Sequence, residues 1–259
     1  MFSFYACIKA ANFRLLFVGF YNAFMLSPCM FLDPDKSLNV FSSEGKLIQC
    51  ENALKAAVNS ALSIGCSSED GCVIMSFKNL SSLVDKKNFH KVFTVCPSIG
   101  VTYSGLQPDF RAQLGVAQRI CQDYYDVYRR FPFLDVFMNE FSLSVQEFSQ
   151  KGGLRPFGTF LIFCGETRDG PCCYQMDPSG SFKKVRLTAS GKEFEGATRF
   201  IERRIEKLDD NLVNCFLAIK EFVGKEIEPC DVSVGVFKTN VFKCYNEEEV
   251  KEVFDSVQN

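Results

Sequence analysis

His90 is the one histidine among 259 residues, and Lys91 stands directly beside it. Any Ser-His-Asp or Cys-His arrangement, in which an imidazole takes the proton of a hydroxyl or thiol, has to be built on this single ring. The local pattern argues against that use. His90-Lys91-Val92-Phe93 reads as a short strand with its polar residues at the start, so His90 is expected at a strand edge, facing solvent. On composition alone Lys91 is an ordinary solvated cation.

Thirteen cysteines are the other chemical resource. They are scattered through hydrophobic segments without the regular spacing of a disulfide framework. Cys72, Cys121, Cys164 and Cys215 fall at positions that read as buried, and the adjacent pair Cys172-Cys173 alternates across a strand. No Cys-x-x-Cys spacing occurs, and one histidine cannot complete a Cys/His zinc set, so neither a metal nor a cofactor is expected. Reduced, buried thiols in a reducing compartment fit the pattern. The charge is nearly balanced, 29 basic against 31 acidic residues for a net of −2, which leaves no basic excess to neutralise nucleic-acid phosphates. Hydrophobic content of 47% with 28 Phe indicates a globular chain able to bury a large core.

The elements that must position these groups are legible from periodicity. Leu47, Cys50, Leu54, Ala57/Val58 and Ala61 recur at helical spacing after a Ser42-Ser43-Glu44-Gly45 turn. Residues 63–66 and 71–77 read as strands, followed by a loop over 78–88 and strands at 90–93 and 99–105. A helix begins near Asp109, with Phe110, Leu114, Ala117, Cys121, Tyr124 and Tyr128 as its stripe. Pro132 starts another, with Leu134, Phe137, Phe141, Val145 and Phe148 on one face and Gly152-Gly153 as the stop. Strands at 158–164, 172–176 and 182–187, helices at 192–207 and 209–223, a hairpin at 232–238 and 241–244, and a helix at 247–257 complete the chain. Strands, two helices, strands, two helices and strands make an α+β four-layer αββα sandwich. No Pro/Gly/Ser-rich linker divides it, so one domain is expected.

In their order, several short motifs resemble those of alpha-type subunits of the 20S proteasome. Phe41-Ser42, Gly45-Lys46-Leu47, Gln49, Glu51 and Ala53 match the signature that opens that family. Ser104-Gly105-x-x-x-Asp109-x-Arg111 looks like its strand-to-helix junction, Arg155-Pro156-Phe157-Gly158 like its second helix-to-strand junction, and Asp177-Pro178-Ser179-Gly180 like its hairpin. Each is weak alone, because Gly and Pro at turns usually report only turn geometry; together they cover nearly the whole chain beyond residue 35. The details around Tyr103, Tyr124-Tyr125-Asp126-Val127-Tyr128 and Gln175 narrow the likeness to one subunit type. The resemblance implies the sandwich of N-terminal-nucleophile hydrolases.

That fold also serves the catalytic beta-type subunits, the rival reading. Their chemistry needs an N-terminal Thr, Ser or Cys whose own amine acts as base. Aligned through Gly65 and Gly71, the nucleophile position falls at Ala61, the acid position at Phe77 and the lysine position at Lys91. Two of the three functional groups are missing, so no catalytic residue is expected and the chain reads as a non-catalytic subunit of a threonine-type protease complex. The resemblance further implies a seven-membered ring of alpha subunits capping beta rings, in the cytoplasm and nucleus. It implies an axial gate made by N-terminal tails, and regulatory activators that dock by their C-terminal tails. It places Lys91 at the base of an activator pocket, where its ammonium would pair with a terminal carboxylate and where its loss would hardly affect folding; the alternative is a solvated lysine. The Leu47/Cys50/Leu54 face would pack on ring neighbours, or cover its own sheet, or do both.

The sequence departs from the family at the gate. The positions of the tail tyrosine, the next aspartate, the turn proline and the helix tyrosine are Pro34, Asp35, Ser43 and Asn52, beside the turn glycine Gly45. Only the aspartate is retained, so aromatic packing and the rigid turn are both lost. Residues 30–45 form the gating tail and turn, and 46–259 the domain. Residues 1–29, whose longest apolar run (Leu15–Tyr21) is too short to span a bilayer, are expected to be a disordered extension or a spurious upstream start; a signal peptide leading a secreted binding module is the alternative.

Overall fold

Gly45 sets the entry to the domain. It holds φ +75°, a left-handed conformation that favours glycine, and closes the turn by donating to Ser42 O at 2.9 Å. The Ser42 hydroxyl accepts from Lys46 N–H at 3.1 Å. Helix α1 (Ile48–Val58) begins at once. The computed structural model describes residues 40–81, 83–151, 154–205, 207–224 and 227–258. Residues 1–29, the tail positions Pro34 and Asp35, and Gly152-Gly153 therefore lie outside the described residues.

The strands are β1 (Ser63–Ser67), β2 (Cys72–Phe77), β3 (Val92–Cys96), β4 (Ile99–Gly105), β5 (Thr159–Thr167), β6 (Gly170–Met176), β7 (Phe182–Val185), β8 (Leu187–Ser190), β9 (Val232–Lys238) and β10 (Val241–Cys244). They form two antiparallel sheets, ordered β10-β9-β2-β1-β8 and β3-β4-β5-β6-β7. Every residue of β2 is buried, because both faces of its sheet are covered. Between the sheets lie Cys72, Ile74, Ile162, Cys164, Cys173 and Phe237. Helices α2 (Gln107–Tyr128) and α3 (Leu134–Gln150) cover the second sheet, with Phe137 and Phe141 edge-on to Phe163. Helices α4 (Phe194–Glu202), α5 (Leu208–Val223) and α6 (Glu247–Gln258) cover the first. The four-layer αββα sandwich is the expected one.

Several boundaries and faces differ from expectation, each for a tertiary reason. The strand expected over 182–187 is two strands that belong to different sheets, and the chain crosses between them at Arg186. The Arg186 carbonyl accepts from Ser67 N–H at 2.8 Å, a demand made by a distant strand. The helix expected over 192–207 is confined to α4, because Lys192 N–H is bound to Ser60 O at 2.9 Å and Glu193 takes a left-handed φ of +59°. The strand expected at 90–93 is shifted to β3, where it closes a tight hairpin with Cys96 opposite Ile99. In α1 it is Ala53 and Ala57 that are buried, whereas Leu54 is 38% exposed, so the expected apolar face is turned partly outward. Small residues face inward because the helix lies close against β4 and β5.

Candidate functional site

Three positions converge where α1 runs into β1. Ala61 precedes β1, Phe77 ends β2, and Lys91 precedes β3. Lys91 Nζ donates to Ala61 O at 3.5 Å and lies 5.2 Å from the centre of the Tyr103 ring. Its backbone is pinned as well: Lys91 N–H donates to Ser233 Oγ at 3.3 Å, and Thr102 Oγ1 donates to Lys91 O at 3.0 Å. Phe77 is 8% exposed and its N–H donates to Leu62 O at 2.9 Å.

The chemistry available here is limited by what the side chains are. Ala61 offers neither hydroxyl nor thiol, and its nitrogen is a peptide nitrogen. The neighbouring Ser60 hydroxyl is committed to Ala57 O at 2.7 Å. Ser63 and Ser76 are 2.7 Å apart, with Ser63 donating to Tyr103 O and Ser76 to Leu62 O. Phe77 cannot carry charge. Lys91 is only 5% exposed, and burial drives its pKa down to about 7. A desolvated lysine thus remains beside a position without a nucleophile. The burial rules out the alternative of a solvated Lys91 and corrects the expectation that its loss would hardly affect folding. His90 is exposed, as expected, on the rim of a separate cavity lined also by Lys78, Lys87 and Cys230.

The motifs at 104–111 and 155–158 prove to be two halves of one anchor. Arg155 holds Asp109 bidentately, at 2.6 and 2.7 Å, and Gly158 N–H donates to the same carboxylate at 2.9 Å. Gly105, at φ +121°, passes so close to Gly158 that a Cβ would lie 2.1 Å from its carbonyl oxygen. The Asp177 carboxylate organises its own hairpin by accepting from Ser179 N–H at 2.9 Å and Ser181 N–H at 3.2 Å. Of the remaining expected site residues, Ser43, Gly45 and Asn52 are exposed, and Leu47 and Cys50 are half-buried. The Asp109–Arg155 pairing escaped sequence reasoning; its signal was an acid and a base, each fixed beside a turn glycine.

A sandwich of two five-stranded antiparallel sheets, each covered by helices, defines the class. A family model described as "Proteasome subunit" matches residues 58–237, and the chain belongs to that family. Its curated relatives narrow the assignment to the alpha side. The chain is 36% identical over 227 residues to proteasome subunit alpha type-2 of Oryza sativa subsp. indica, covering 86% of this chain and 97% of that protein. It is 34% identical over 221 residues to the alpha type-2 subunit of Dictyostelium discoideum, covering 83% and 95%. It is 33% identical over 225 residues to that of Drosophila melanogaster, covering 85% and 96%. The chain is thus similar over most of its length to alpha subunits, which supports a non-catalytic alpha subunit, and a beta-type reading is not favoured.

Proposed function

We propose that this chain takes the type-2 place in the seven-membered outer alpha ring of a threonine-type protease complex in cytoplasm and nucleus, where it admits substrates and docks activators. The observation that carries this reading is the pairing of Ala61 and Phe77 at the nucleophile and acid positions within an otherwise intact sandwich. Binding and assembly are what such a chain can still do. The gate it contributes differs in chemistry: Ser43 lacks a proline's fixed φ, Asn52 is exposed on α1, and Pro34 and Asp35 precede the described residues.

Lys91 we assign to the base of the activator pocket. An incoming terminal carboxylate would favour the charged lysine and lift its pKa from about 7 toward the ordinary range. Lys91→Met should then weaken activator binding through this one pocket about ten- to a hundredfold, the loss of one charge-assisted contact. Unchanged binding of a tail seen in this pocket would refute the assignment.

Native mass spectrometry of the endogenous particle tests the main reading. Two copies of this chain in a complex of several hundred kilodaltons, with no peptidase activity from the chain alone, are expected. Hydrolysis of a fluorogenic peptide after removal of every beta subunit would overturn it.

A further inference from the structure

The loop that joins the tail to α1 is held by one residue. Ser42 N–H donates to Lys46 O at 2.9 Å, Ser42 O accepts from Gly45 N–H at 2.9 Å, and the Ser42 hydroxyl accepts from Lys46 N–H at 3.1 Å. All three bonds span the same loop, Ser43-Glu44-Gly45. Ser43 and Glu44 keep negative φ, whereas Gly45 takes +75°. A bond from the fourth N–H to the first carbonyl, with both central φ angles negative, makes a type I turn. The left-handed glycine after it turns the Ser42/Lys46 pair into a bulged hairpin closure. Packing adds little to this loop. Val40 is 52% and Phe41 66% exposed, and residues 43–46 are exposed as well. The ion pair of Lys46 with Glu44, at 3.3 Å, lies in solvent and is weak for that reason.

We propose that Ser42 is the positioning residue of the tail: its hydroxyl latches the turn and so fixes the direction in which the chain before Val40 leaves the domain. Ser43, which stands where the resemblance expects the turn proline, is the second residue of this turn. A proline there presets φ through its ring, and a serine does not. The closure has passed to the hydrogen bonds of the neighbouring residue. The rigidity expected to be lost with the proline is therefore kept by different chemistry. The difference matters for control, because a ring fixes φ permanently and a hydrogen bond opens. One such bond favours the closed turn by about fivefold, so losing the hydroxyl is enough to free the loop without disturbing the domain. With no packed side chain on either side of the turn, nothing deeper in the fold restores the direction. That the tail gates a pore rests on the function proposed above; the latch itself does not.

The test compares the isotope-labelled full chain with Ser42→Ala, Ser42→Thr and the double variant Ser42→Ala/Ser43→Pro by backbone NMR relaxation. In the parent, Ser43, Glu44 and Gly45 should show order parameters of about 0.85; in Ser42→Ala these should fall below about 0.6, with thermal unfolding unchanged. Ser42→Thr keeps the hydroxyl and should stay as rigid as the parent. The double variant should regain rigidity, because the proline fixes φ without the bond. Unchanged order parameters in Ser42→Ala would overturn the proposal, as would a double variant as mobile as Ser42→Ala. Assembled particles carrying each variant in place of the parent chain read the consequence for the gate. Their peptide hydrolysis without activator should rise in Ser42→Ala and return to the parent's in the double variant. A mobile turn with unchanged hydrolysis would support the latch and overturn the gate reading instead.

Discussion

Asp109 is held by three hydrogen bonds, two from the Arg155 guanidinium and one from Gly158 N–H. The Arg155 guanidinium keeps the carboxyl below the usual aspartate range, with help from Gly158 N–H. A depressed carboxylate pKa stabilises the fold fully above the unfolded value of about 3.9, and the contribution is lost as pH falls through the folded pKa. The Arg155 side chain is 58% exposed, so the ion pair itself is screened and contributes under about 1 kcal/mol. Arg155→Ala should therefore cost under about 1 kcal/mol. Asp109→Ala should cost about 2–3 kcal/mol, because it also leaves the Gly158 N–H without its acceptor. Urea unfolding would measure both, and equal costs would contradict this account. Lys91 has a pH dependence of the same sign in a higher window, there as the relief of a burial penalty. Its folded pKa, about 7, lies below the unfolded value near 10.4. Between those values the unfolded chain holds a proton that the folded chain does not, so stability rises with pH, and the full penalty applies below about 7. At about 1.4 kcal/mol per unit over about 3.4 units this penalty is at most on the order of 5 kcal/mol. Lys91→Met should be more stable than the parent at pH 6 and converge with it near pH 10. An unchanged slope would show that Lys91 is not desolvated.

At the scale of elements, the junction of β4 with α2 depends on backbone approaching backbone. Gly105 meets the carbonyl of Gly158, and Leu106 N–H donates to that same oxygen at 2.9 Å. Gly170 is the natural control: it has φ +117° at the β5–β6 turn, but no atom lies within 4 Å of the Cβ it lacks. Gly170→Ala should cost about 1–2 kcal/mol from φ alone. Gly105→Ala carries the same strain plus a clash with a carbonyl that cannot swing away, and should cost more than about 3 kcal/mol. Thermal unfolding of the two variants checks the order, and a reversal would mean that the junction relaxes. The Asp177 hairpin uses the same device against α3, since a Cβ on Gly180 would lie 3.1 Å from Gln146 N.

Taken whole, the molecule leaves apolar side chains uncovered at its entry: Phe41 is 66% exposed and Leu54, within α1, 38%. Scattered exposed apolar residues are normal in a monomer, but this face carries the stretch that matches the family's opening signature. Leu54→Glu should change the isolated chain's stability by no more than about 0.5 kcal/mol, as an exposed substitution. If the proposed ring packing holds, the same variant should be excluded from assembled particles when co-expressed with the parent chain. Native mass spectrometry reads the ratio, and equal incorporation would return α1 to the role of covering its own sheet.

What the sequence determined by itself was whatever depends on near neighbours. Helical stripes in α2 and α3, the Asp177 turn and the alternation of Cys172 and Cys173 are set by a few consecutive residues, and so was the order of layers. The loss of catalysis was equally legible, because Ala61 and Phe77 lack the necessary groups wherever they sit. Tertiary structure alone decided how those groups are covered and whom they meet. A strand pattern could not show that the chain changes sheets at Arg186, since alternation is the same in either sheet. Lys91 became a desolvated amine only because β1, β4 and β9 close around it, and burial is a sum over distant segments. Asp109 found Arg155 at a separation of 46 positions along the chain. Composition announced those groups, but only packing set the distances between them.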